Sequence, residues 1–278
     1  MSSDVRSRYT ADLVFLEGRL QRNVWLDVDA EGVLCGVHKR RPRRGPRANR
    51  FRNKALLPGL VNTHSHAFQL TIRGRTESVP ADRREEDFWT WRERMYHAAL
   101  RLTPRDVYLS AKMAFIEMLR AGITTVGEFH YLHNQTDGEA YADRNELAKQ
   151  ILRAAREAGI RMRFLRVAYG RSGYQIPPNP LQRRFFEPDV ETFLRSVQSL
   201  AGYASHYGGG TASVGVAPHS IRAVEASWLT EISDFARAAA IPYHIHACEP
   251  REELRQSRAE YGREPIEVFA DLGLLRPG

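Results

Sequence analysis

From Pro58 onward, short apolar runs alternate with longer amphipathic stretches, and this alternation restricts the fold more than any other feature of the sequence. Runs at 60–63, 123–129, 162–169, 212–218 and 242–247 have the length and apolar content of buried strands. Helical patterns separate them. Thr103-Pro104 opens one that runs to Leu119 and stops at Gly122, with proline at the first helical position, where its missing N–H has no intrahelical partner to lose. Others cover 145–158 (ended by Gly159), 190–204 and 227–239. Strand–helix repetition of this kind predicts a parallel sheet, and the spacings suit a (β/α) barrel. Five strands can be counted, and two helical stretches, 251–261 and 265–272, follow the fifth. A closed barrel needs eight. The expectation is therefore α/β: an incomplete (β/α)8 TIM-type barrel over 58–278, with five to six βα units and strands six to eight missing.

Residues 1–57 have a different texture. Strand patterns at 12–16, 24–28 and 32–37, punctuated by Glu17-Gly18 and Glu31-Gly32, predict a small β-sandwich-like module. The run Lys39-Arg40-Arg41-Pro42-Arg43-Arg44, with Arg47 and Arg50, contributes much of the net charge of +8. No zinc-finger spacing, basic zipper or aromatic ribonucleoprotein motif accompanies it, so it reads as a solvated loop and nucleic acid is not an expected partner. A membrane is not expected either, because no apolar run reaches the length of a span. The first ten residues are polar and lack the apolar core of a signal peptide. Two cysteines, Cys35 and Cys248, are too few for a disulfide scaffold, and a reduced cytoplasm is the natural setting.

Chemistry concentrates in two segments. In Pro58-Gly59-Leu60-Val61-Asn62-Thr63-His64-Ser65-His66, a buried-strand pattern ends in two histidines two residues apart. On a strand that spacing puts both imidazoles on one face, able to converge on one ion. In Tyr243-His244-Ile245-His246-Ala247-Cys248-Glu249, a histidine again closes an apolar run and a carboxylate follows. Catalytic zinc keeps about three protein ligands and an open position, which His64, His66 and His246 could provide. Iron, manganese or nickel can occupy similar sites. Glu249 could move protons between water and a leaving group. His244 falls on the opposite strand face and reads as a packed or hydrogen-bonded histidine. Cys248 reads as a small buried hydrophobe.

These segments resemble the first-strand Pro-Gly-Leu-Val-Asn-x-His-x-His and fifth-strand His-x-x-Glu signatures of the amidohydrolase superfamily. The similarity sharpens toward its formiminoglutamate-deiminating branch through His64-Ser65-His66-Ala67-Phe68-Gln69, Phe88-Trp89-Thr90-Trp91-Arg92-Glu93 and Glu128-Phe129-His130-Tyr131. Gln182-Arg183-Arg184-Phe185 and Pro218-His219-Ser220-Ile221-Arg222-Ala223-Val224 carry it further. The resemblance implies one zinc on His64, His66 and His246, with Glu249 as general acid/base. It also implies substrate contacts from Gln69, Arg92, Tyr131, His219 and Arg222, a small anionic amidine as substrate, and a homodimer. The chemistry agrees: the substrate carries two carboxylates, and Arg92 and Arg222 can each offer one a forked partner. The resemblance further implies an aspartate after strand eight and a histidine after strand six, neither of which this sequence contains, so the 278-residue chain is expected to be inactive or very weak. The alternatives are another deaminase or chlorohydrolase acting on a nucleobase-like substrate, or a non-catalytic remnant.

Overall fold

The computed structural model describes residues 5–76 and 88–275, leaving aside the side chains of 88–90. The chain divides into two units, Met1–Gly59 and Leu60–Gly278.

In the first unit, β1 (Ser7–Leu16), β2 (Arg19–Gln21), β3 (Trp25–Val28), β4 (Leu34–His38) and β5 (Ala48–Leu56) form one sheet in the order β2-β1-β3-β4. β5 lies parallel to β1. Glu17 and Gly18, both at positive φ, make the tight turn between β1 and β2. β1 pairs β3 through its first residues and β2 through its last, so the sheet curls around a small core of Ala11, Val14 and Val24. Arg8 grips Asp27 through two bonds of 2.5 and 2.8 Å, and this guanidinium holds the buried Asp27 carboxyl below its usual range.

The basic segment departs from expectation at its end. Arg50 lies in β5 and pairs with Asp12 at 3.3 Å. Nearly every β5 residue is exposed. Backbone pairing rather than burial holds this strand, so its hydropathy carries no alternation to read.

In the second unit, β6 (Leu60–Ser65), β7 (Ile123–His130), β8 (Arg161–Ala168) and β9 (Ala212–Pro218) form a parallel sheet in chain order. Helices α1 (Phe88–Ala99), α2 (Pro104–Arg120), α3 (Glu146–Ala158), α4 (Val190–Tyr207), α5 (Ala226–Ala238), α6 (Arg251–Tyr261) and α7 (Pro265–Asp271) accompany it. These are the strand–helix units of a (β/α) barrel. Thr103 and Asp106 form a reciprocal capping box at the start of α2, and Gly159 ends α3 at φ 86°. Phe115, Phe129, Phe164 and Phe193 are fully buried in one continuous core.

The expected fifth strand is present only in outline. Residues 242–247 run parallel to β9 through isolated bridges at Tyr243 and His246, held by Val216 N–H to Pro242 O (2.9 Å) and His246 N–H to His219 O (3.1 Å). β9 has already ended at Pro218, so the upper part of the segment pairs with a turn rather than a strand and the ladder breaks.

Candidate active site

His64 lies near the end of β6 and His66 just beyond it, and their Nε2 atoms lie 3.1 Å apart. His246 brings its Nε2 to 3.0 Å from that of His64. All three nitrogens fall within 4.8 Å of one another. Nitrogens bound about 2.0–2.1 Å from one tetrahedral ion would be separated by about 3.3 Å, so the spacing fits a shared metal. Protonation fits as well. His66 Nδ1 donates to the Phe129 carbonyl at 2.8 Å, which leaves the Nε2 lone pair facing the cluster. Burial pushes His66 down to about 4 and His246 to about 3, and His64 is lowered for the same reason. Three neutral imidazoles therefore converge at neutral pH. Among the described residues no carboxylate joins them.

The strand that carries the pair is shaped from below. Between Asn62 and Ser65, β6 holds one residue more than β7 opposite, and the bulge directs the Thr63 carbonyl at Gly127. A Cβ on Gly127 would sit 2.6 Å from that oxygen, so glycine is required there. The next residue, Glu128, is fully buried and accepts the Ala67 N–H at 2.7 Å. Burial pushes its carboxyl up to about 8. The folded state thus holds a proton that the unfolded chain releases near the ordinary value of 4.5. Glu128 therefore makes stability fall as pH rises from about 4.5 to about 8, and adds no slope above that. Glu128→Gln keeps the acceptor for Ala67 and removes the titration. Denaturant unfolding at about pH 5 and about pH 8 should show a smaller stability difference in the variant than in the parent protein; an unchanged difference would refute the assignment.

Beside the cluster lies a small pocket, walled by residues at or just beyond the C-terminal ends of successive strands. His66 and Gln69 follow β6, Tyr131 follows β7, Tyr169 follows β8, His219 and Arg222 follow β9, and His246 lies in the fifth segment with Glu249 just after it. Helix α1 adds Trp91, Arg92, Met95 and Tyr96. The structure thus brings Gln69, Arg92, Tyr131, His219, Arg222 and Glu249 into one cavity with two of the three clustered histidines. Gln69 Nε2 donates to the Tyr131 hydroxyl at 2.8 Å. The Arg92 guanidinium lies 5.4 Å from the Tyr96 ring centre.

Arg222 is the least satisfied group in the cavity. It is 3% exposed, and neither Nε nor Nη1 has a hydrogen-bond partner among the described residues. Its nearest carboxylate oxygen, Glu253 Oε2, stands at 4.0 Å. A buried guanidinium in this condition is costly without an anion. Glu249 is exposed at the rim. Desolvation by the surrounding protein raises its carboxyl pKa, against the opposing pull of Arg222 and Arg92. Desolvation also keeps the His219 imidazole neutral.

Of two readings of the fifth segment, the one for Cys248 is corrected and the one for His244 agrees with the structure. Cys248 is exposed, not buried, and sits at φ 57°, because the chain turns sharply out of the segment there. His244 is half-buried and lies outside the histidine cluster. Trp91, Met95, Tyr96 and Tyr169 were not singled out as site residues from sequence: the first three share α1, where their spacing reads equally as a packed helix face, and Tyr169 follows β8. The side chains of Phe88, Trp89 and Thr90 lie outside the described residues.

Parallel strands with their helices feed a pocket beside three convergent histidines, and the chain belongs to the amidohydrolase family, which it matches over residues 55–277. It is 37% identical over 246 residues to the formimidoylglutamate deiminase of Pseudomonas aeruginosa, an alignment covering 88% of this chain and 52% of that enzyme. The chain spans about half the length of the curated relatives it matches. An amidohydrolase structure from Brucella melitensis superposes with a TM-score of 0.83 at 36% identity, over 96% of this chain and 57% of the other. Atrazine chlorohydrolase from Arthrobacter aurescens, solved with zinc, shares the fold at a TM-score of 0.76 and 20% identity, over 96% and 58%. Among the described residues no helix is long and apolar enough to cross a membrane.

Proposed function

We propose that the full-length protein hydrolyses N-formimino-L-glutamate to N-formyl-L-glutamate and ammonia, with a divalent metal, zinc by preference, held by His64, His66 and His246. One observation carries the substrate assignment: Arg222 is buried in the pocket with two nitrogens unsatisfied, which calls for a ligand with a carboxylate. The 37% identity to the Pseudomonas aeruginosa enzyme supports the same reading.

When bound, a divalent ion supplies Lewis-acid activation of water near neutral pH. The protein's own residues do the rest. Arg222 and Arg92 anchor the two carboxylates, so the formimino carbon is held near the histidines and the attack becomes effectively intramolecular. The Gln69–Tyr131 pair and neutral His219 fix its orientation with hydrogen bonds. Water adds to that carbon, and the bond to the terminal nitrogen breaks. Glu249, whose raised pKa lets it keep a proton nearer neutrality, delivers that proton to the departing nitrogen, which leaves as ammonia.

Ammonia release from formiminoglutamate tests the reading. Turnover is expected to vanish on chelation and to return with added zinc. A protein that ignores formiminoglutamate but deaminates a nucleobase would replace this reading with the stacking chemistry that Trp91, Tyr96 and Tyr169 could also support.

A further inference from the structure

Gln182 lies outside the pocket lining, yet its fully buried amide touches two residues that line it. Nε2 donates to the Tyr96 hydroxyl at 2.7 Å and to the Tyr169 hydroxyl at 2.6 Å. On the other side, Ser172 Oγ donates to Gln182 Oε1 at 2.6 Å, and the backbone N–H of Asn179 donates to Ser172 Oγ at 2.8 Å.

The direction of this chain is fixed at its source. A backbone N–H can only donate, so Ser172 Oγ accepts from Asn179 and passes its own proton to the Gln182 oxygen. Reversing the amide would leave the buried Ser172 proton without an acceptor. Both Gln182 protons then go to the phenols, which therefore act as acceptors toward the protein interior. Each phenol still holds a proton of its own. The two hydroxyls also interact with each other, which can occupy one of these protons. The other has no protein acceptor among the described residues, and both tyrosines line the cavity together with Arg92 and Arg222, which favour an anion.

We propose that Gln182 is a positioning residue: its side-chain amide forces the Tyr96–Tyr169 pair to present a hydroxyl proton to a carboxylate of the bound substrate. The proposal deepens the deiminase reading and rests on it for the identity of the substrate.

The test uses the full-length, metal-loaded protein. Gln182→Glu has nearly the same shape but accepts the phenol protons instead of donating to the phenol oxygens. Gln182→Met removes the polarity at similar volume and serves if the glutamate variant does not fold. Calorimetric titration with N-formyl-L-glutamate should show affinity reduced about 10- to 100-fold in Gln182→Glu. In turnover, KM should rise by a similar factor while kcat stays nearly level. In a Tyr96→Phe/Tyr169→Phe background the same substitution should have little further effect on affinity. A general packing role would instead persist in that background. Equal affinity of Gln182→Glu and parent protein, or a full effect without the two hydroxyls, overturns the proposal. So does a parent protein that binds no dicarboxylate. A parent that binds N-formyl-L-glutamate but releases no ammonia from formiminoglutamate sinks the deiminase reading alone and leaves the positioning role standing.

Discussion

His66→Ala is expected to abolish metal uptake while leaving the metal-free fold intact. The imidazole is placed by its Nδ1 bond to the Phe129 carbonyl, and its Nε2 shares the cluster with His64 and His246. Removing a group that merely supports a ligand costs about 10- to 100-fold in affinity, and removing the ligand itself should cost more. In the metal-free protein the neutral ring contributes packing and one hydrogen bond, so the loss there is small. Binding raises stability in proportion to the logarithm of ligand concentration over Kd. The zinc-dependent rise in melting temperature expected of the parent should therefore be absent from the variant. A variant still stabilised by zinc to the parent's extent would show that these histidines do not share an ion.

Arg222→Met should separate stability from function. In the unliganded pocket the guanidinium is desolvated with Nε and Nη1 unpaired among the described residues, a cost that an apolar side chain of similar length relieves. Glu253 would lose its nearest cation, but burial already pushes its carboxyl toward the neutral form. The melting temperature should therefore hold or rise. Binding should move the other way. A buried, charge-assisted fork to a carboxylate is lost, and KM for formiminoglutamate should rise on the order of 100-fold. A variant with unaltered KM would place the carboxylate elsewhere.

What could be read in advance depended on whether function followed a local period. His64 and His66 share a face because strands repeat every two residues, and Thr103-Pro104 and Gly159 announce helix ends through backbone chemistry that needs no tertiary context. Arg222 and His219 were visible through their motif, but the missing partner of Arg222 is a property of the packed pocket. Gln182 meets Tyr96 across 86 positions of sequence, and nothing local to either residue announces the other. β5 escaped notice because it buries almost nothing. Cys248 misled because a free cysteine with no other thiol nearby is usually a buried small hydrophobe, whereas here the backbone turns to positive φ and leaves it exposed.

The histidine pair stands on β6, the outermost strand of its sheet, where Leu60 and Val61 are each 60% exposed. Among the described residues only β7 supports it. In a closed eight-stranded barrel that side of the first strand is paired rather than free, so the histidine pair sits on the strand through which such a barrel would close.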